Sequence, residues 1–330
     1  MKSLILLSAI LLLAIQAYPQ DCSKEILAQK TGTWKAGQQG SIQNVTASDL
    51  TKEKSQLANI HKMISSVYQP MGCQVSYSTV YGKDVSDGEV FKADPYYYAM
   101  YILRYLCNEN TPDKTDYYVD VSTTTTVNIV ANAIYSLNLY AANIPVDDFR
   151  GYLKLEKRPE KKDGYYFLGE KVVGDSHLEN KIMEYQWLIT YNDTLPFTYV
   201  SRKEYLLIQQ KRLEKTIKES PGEKAYSQKY FDNISEFLAR PENELSQPAI
   251  CMWNEEERFE GFVEEGTRGS FVAVKPDMAY YQKNLPLSSP QFFTVVYKMS
   301  QGDPVFDANI SAIKEAVDFA ALRSMLGKKN

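Results

Sequence analysis

Any chemistry in this chain has to come from two histidines, four cysteines and a few clusters of carboxylates. His61 sits beside Leu57, Ile64 and Tyr68 on the margin of an apolar helical stripe, where a histidine more often completes a core than performs catalysis. The acidic residues Glu255, Glu256, Glu257, Glu260, Glu264 and Glu265 invite a calcium reading. Hard cations need six to eight converging oxygens, and consecutive glutamates diverge, so a solvated face is expected. The cysteines at 22, 73, 107 and 251 match no zinc spacing, and no Gly-rich phosphate loop or H-E-x-x-H occurs. The sequence therefore implies no cofactor and no metal site.

His177 follows Gly174-Asp175-Ser176, a block resembling the nucleophile motif of one esterase and lipase superfamily. That serine needs a base to take its proton, and no histidine occurs after 177. A turn between strands is the better reading. What remains is a load of 25 tyrosines, which present flat apolar faces with polar tips. Tyr185, Trp187 and Tyr191 fall on one face of an expected strand and are the candidate binding platform.

The elements that must position these residues follow from periodicity. A helix capped by Ser48 carries Leu57, Ile60 and Ile64, and a strand spans 74–81. A second helix is predicted over Tyr96–Cys107, from the stripe of Tyr97, Tyr101 and Tyr105. Residues 117–133 alternate as a strand long enough to require a bend. Residues 152–158 and 165–173 predict a charged hairpin turning at Asp163-Gly164, and 182–191 another strand. Ser201 and Glu204 form a capping box before a helix, and 223–239 continue as a second one. Segments 259–264, 270–275 and 292–299 read as a meander. A last helix over 307–326 is apolar on two sides, Ile310, Ile313, Val317 and Ala320 against Phe319, Leu322 and Leu326. Such a helix is either buried between layers or offers one side to a partner. The mixed order predicts an α+β fold with antiparallel sheets and packed amphipathic helices.

At the N-terminus, Lys2, an apolar run from Leu4 to Ile15 and Ala17 make the layout of an export signal, too short to span a bilayer. Residues 1–20 are read as that signal, 21–146 as an N-terminal α+β region and 147–330 as a C-terminal one, a single domain being the alternative. Cys22 lacks the small and aliphatic residues that precede a lipidated cysteine, since Pro19, Gln20 and Asp21 stand there. An extracytoplasmic address permits disulfides. Three pairings exist on paper; proximity favours Cys73 with Cys107, with Cys22–Cys251 second. Losing Lys2 leaves a net charge near −5, a poor match to nucleic acid.

Gly32-Thr33-Trp34-Lys35, Tyr105-Leu106-Cys107-Asn108, residues 123–132 and above all 195–206 are similar to a group of exported, functionally unassigned proteins of Bacteroidota bacteria. In that group an acidic residue and an alanine tend to follow the glycine after the first helix, where Cys73 and Gln74 stand here. The resemblance implies export and transfers no catalytic residue. The expected function is a soluble, non-enzymatic protein that binds an envelope protein or a glycan, neither spanning a membrane nor binding nucleic acid. A secreted hydrolase with a carboxylate or serine site is the competing expectation.

Overall fold

The computed structural model describes residues 22–82, 93–108, 110, 116–133, 152–175, 181–191, 193–254 and 258–328. Residues 1–20, Ser176, His177, Asn192, Glu255 to Glu257 and the proposed boundary near 147 lie outside the described residues.

Period-two burial builds two sheets. The larger takes β1 (Thr33–Ala36), β3 (Cys73–Gly82), β4 (Tyr96–Cys107), β6 (Thr126–Ala131), β14 (Phe292–Ser300), β10 (Lys181–Thr190), β9 (Tyr165–Asp175) and β8 (Glu160–Lys162), in that order. Two short strands pair at its margin, β2 (Ile42–Gln43) on β3 and β5 (Tyr117–Val119) on β4. All pairs are antiparallel except β1 and β2 on β3. Strands from before and after residue 147 thus share one sheet. In the smaller sheet, β13 (Ser270–Pro276) lies between β7 (Leu153–Leu155) on one side and β11 (Phe197–Tyr199) and β12 (Ile250–Met252) on the other.

Four layers result. On one face of the large sheet pack α2 (Ala47–Ser65), α6 (Pro304–Ala316) and α7 (Phe319–Met325), enclosing Leu57, Ile60, Ile64, Met100, Ile129, Val295, Ile310 and Ile313. The small sheet covers part of the other face, where Leu168, Leu188 and Phe292 meet Leu155, Val272 and Val274. Beyond it, α3 (Arg202–Glu219), α4 (Lys224–Leu238) and the short α5 (Glu242–Leu245) bury Leu206, Leu213, Ile234 and Leu245 against Phe271 and Ala273. Consecutive residues of β13 therefore serve two different cores, which is why that strand is apolar without alternation. The molecule is α+β, as its element order predicts.

Several expectations are corrected. Tyr96–Cys107 is a strand, not a helix. Tyr97, Tyr101 and Tyr105 recur every four residues, a spacing that satisfies both periods, and aromatic side chains favour the sheet. Tyr96, Tyr98, Met100 and Ile102 on the alternate positions are all fully buried, and β3 and β6 satisfy both strand edges. Thr46, not Ser48, caps α2: its Oγ1 accepts the Asp49 amide at 3.1 Å. The hairpin forms, but its first strand is β8; the earlier segment Leu153–Leu155 leaves for the small sheet. Asp163 and Gly164 both have positive φ, 52° and 81°, as a tight two-residue turn requires. The meander does not exist. Residues 259–264 make only a bridge between Cys251 and Phe262, β13 joins the small sheet and β14 the large one.

The C-terminal helix is two helices. Val317 leaves the helical region with ψ 96°, and Asp318 caps α7 by accepting the Ala321 amide at 2.9 Å. The chain turns there, so both apolar stripes face the same core: Ile310, Ile313 and Val317 before the break, Leu322 and Leu326 after it.

A buried polar junction ties the sheet to the segment that enters β14. Asn132, unexposed and at φ 60°, donates its side-chain amide to the carbonyls of Asp94 (2.9 Å) and Ser289 (3.2 Å). Its Oδ1 accepts the Gln291 amide at 2.7 Å. Asn132→Ala is expected to cost about 3 kcal/mol, from stranded buried groups and a strained left-handed backbone. Asn132→Gly strands the same groups without that strain and should cost about 1 kcal/mol less, as chemical denaturation will read.

Candidate functional site

Tyr185 and Trp187 share one face of β10, as alternation requires, and α6 and α7 contact that face, while Tyr191 lies just past the end of the strand. Trp187 meets Phe319 edge-on at 5.5 Å and Phe167 at 4.9 Å. The Lys314 ammonium lies 4.3 Å over Tyr185. Tyr191 stacks on Tyr280 at 4.8 Å and donates its hydroxyl to the Tyr280 carbonyl at 2.6 Å. All three are half-buried in contacts within the chain.

His61 is a core-margin histidine. Its Nδ1 is 2.8 Å from the Tyr98 hydroxyl, its ring stacks on Tyr77 at 4.1 Å, and Trp34 meets it edge-on at 5.3 Å. Burial lowers its pKa and keeps the ring neutral. Among the acidic residues, Glu265 pairs with Arg158 at 3.0 Å. Among the described residues no three His, Cys, Asp or Glu converge as a metal would need.

The cysteines pair differently from the expected Cys73–Cys107 and Cys22–Cys251. Cys22 is bonded to Cys107, with Cα atoms 5.7 Å apart, and Cys73 and Cys251 are buried free thiols. The misreading follows from β4: in a strand, Cys73 lies opposite Arg104 and points into the helix-covered core, while Cys107 lies beyond the end of that pairing. Burial pushes both free thiols up to about 12, which makes them poor nucleophiles.

The disulfide anchors a short helix, α1 (Lys24–Ala28), whose Leu27 is buried and whose cap Ser23 accepts the Ile26 amide at 3.3 Å. Between α1 and the β4–β5 hairpin lies a cleft of about 790 Å³. Tyr105 and Tyr118 supply its aromatic walls, and Ser23, Asn108 and Asn110 its polar groups. Lys24 is the single charged residue among the described residues that line it. Tyr118 is 51% exposed and Tyr117 40%, and Tyr117 packs edge-on against Tyr105 at 5.0 Å beneath the Lys30 ammonium at 4.7 Å. Asn108 holds the hairpin mouth, its amide donating to the Asp116 carbonyl at 2.9 Å and its Oδ1 accepting the Asn110 amide at 3.2 Å. Among the described residues that line it there is no carboxylate, histidine or free thiol, and these residues can stack and hydrogen-bond a ligand. The reading of β4 as a helix hid this site, because in a helix Tyr105 and Leu106 would not pair with Val119 and Tyr118 of β5.

Among the described residues one carboxyl is strongly perturbed. Glu53 on α2 is fully buried, and its pKa is pushed up to about 8, first by loss of solvent and then by the charge of Asp94. With no exposed surface, it is no surface acid.

No family model, no curated protein and no solved structure matches the chain. The cleft is therefore read on its own residues.

The pairing makes a direct prediction. Intact native protein treated with a thiol reagent should gain no label, unfolded protein two labels, and unfolded, reduced protein four. Closing a loop across 85 residues should also contribute on the order of 4 kcal/mol through the unfolded chain, lost in Cys22→Ser/Cys107→Ser.

Proposed function

We propose that this is an exported, non-enzymatic binding protein of the cell envelope whose disulfide-anchored cleft holds the neutral sugar units of a glycan. The observation that carries the reading is the composition of the cleft's described lining residues: two tyrosines, amide and hydroxyl groups, and one charge. Sugars offer apolar ring faces that stack on aromatic side chains and hydroxyls that pair with amides. A ligand made of both surfaces and no charge suits this lining better than an anion or a cation.

Export is supported by the apolar N-terminal run and by the disulfide, which belongs to an oxidising compartment. Among the described residues no helix is long and apolar enough to cross a membrane. The hydrolase reading is weakened because the described residues lining the cleft include no carboxylate or histidine, and because Glu53, whose raised pKa would suit a general acid, is buried.

Titration calorimetry against neutral linear oligosaccharides built on glucose, mannose and N-acetylglucosamine tests the proposal. At least one should bind, and Tyr118→Ala should weaken it about tenfold or more, the loss expected for one stacking wall, with little change in unfolding midpoint. Binding that survives Tyr118→Ala, or an envelope protein captured with no oligosaccharide bound, would overturn it. Turnover of the bound oligosaccharide would restore the hydrolase.

A further inference from the structure

Glu53 lies where helix α2 meets the end of β3 and the start of β4. Its two carboxyl oxygens are buried and make no hydrogen bond at normal geometry. From the segment just before β4, Asp94 acts on it as a like charge; Asp94 is 2% exposed, and its amide donates to the Leu287 carbonyl at 2.7 Å. Asp49, one turn earlier on α2, adds a second negative charge, and it accepts from the Ser288 hydroxyl at 2.7 Å. Tyr96, the other titratable neighbour on β4, feels both Glu53 and Asp94, and its hydroxyl donates to the Ser288 carbonyl at 3.0 Å. From β3 the approach is the backbone amide of Gly82, a residue at φ 75° whose Cβ would run into the Gln43 carbonyl. The nearby cations of α2 are turned to other partners: Lys54 lies over the Tyr81 ring at 5.8 Å, and Lys52 acts on Asp49. Among the described residues no cation compensates Glu53.

We infer that Glu53 and Asp94 form a proton-held clasp between α2 and the β3–β4 end of the large sheet, closed while Glu53 carries its proton and loosened when it loses it. Protonated, Glu53 is a neutral group tolerated in the core. Once hydroxide removes that proton to bulk water, a second carboxylate stands buried beside Asp94, and hydration of the pair favours separating the helix from the strand ends. The sign is fixed by linkage. The unfolded glutamate titrates near 4.5 and the folded one near 8. The native state alone holds the proton between those values, and the stability it confers is complete below the first and gone above the second. This device is independent of the sugar-binding reading.

The test measures the unfolding equilibrium constant of the full chain from pH 4 to 9.5 beside Glu53→Gln, which cannot ionise. The ratio of wild type to variant should rise by about tenfold per pH unit between pH 5 and 8 and be flat above. At pH 9, amide exchange in residues 49–57 and 79–82 should be at least tenfold faster in wild type than in Glu53→Gln, with α3 and α4 unchanged. If Glu53→Gln fails to fold, Asp94→Asn gives the answer alone, because losing the like charge should move the wild-type transition to lower pH. A ratio independent of pH, exchange that accelerates equally in all helices, or an unmoved transition in Asp94→Asn would overturn the inference.

Discussion

Asn132 sits in a left-handed backbone conformation without solvent, and its one side chain satisfies three backbone groups on two separate segments. Those segments are the entry to β4 and the entry to β14. Because β14 lies between β6 and β10, its position determines how the first and last thirds of the chain share one sheet. The junction also reaches outward. Gln291 accepts the Tyr191 hydroxyl at 2.9 Å, and the Ser288 carbonyl accepts that of Tyr96. A buried polar network of this kind is costly wherever a member lacks a partner, as Gln291 Nε2 does here, and the bonds it does make tie the segments in one register.

The two ends of β4 have opposite characters. Its first residues follow the acidic junction beneath α2, where Asp94 and Asp49 act on Glu53 as like charges. Its last residues carry the disulfide and the aromatic cleft, in which nearly every polar group is neutral. One strand thus links a region sensitive to proton loss with a region built for stacking and hydrogen bonding. Arg104 marks the transition between them, bridging Asp303 at 2.7 Å and Asp120 at 3.4 Å.

Much of this was legible in the chain. The β-branched alternation of β6, the turn at Asp163-Gly164 and the cap at Ser201 are local signals, and each is found where local chemistry puts it, Ser201 Oγ accepting the Glu204 amide at 3.2 Å. Glu204 itself turns to Lys275 at 2.6 Å, a partner no local pattern reveals. What escaped were decisions made by distant partners. Four-residue spacing of tyrosines reads as a helix until β3 and β6 are present to take the hydrogen bonds. Leu153–Leu155 reads as the neighbour of the next strand until β13 claims it. The two-sided C-terminal stripe reads as one helix because Val317-Asp318 carries no glycine or proline to announce its break. The cleft was invisible for the same reason as the disulfide: both depend on β4 being extended.

The Cys22–Cys107 bond has a consequence for the order of assembly. A chain made from its N-terminus presents Cys22 first and Cys73 next, well before Cys107 emerges. During that interval the wrong partner is the only one within reach, and oxidation can trap it. The escape is built into β3, which carries Cys73 into the helix-covered core once β4 pairs with it and so withdraws the competitor. Sheet formation therefore acts as the proofreading step for the covalent bond. An oxidant acting faster than β3 and β4 pair would yield a mispaired chain, and slow oxidation the native one.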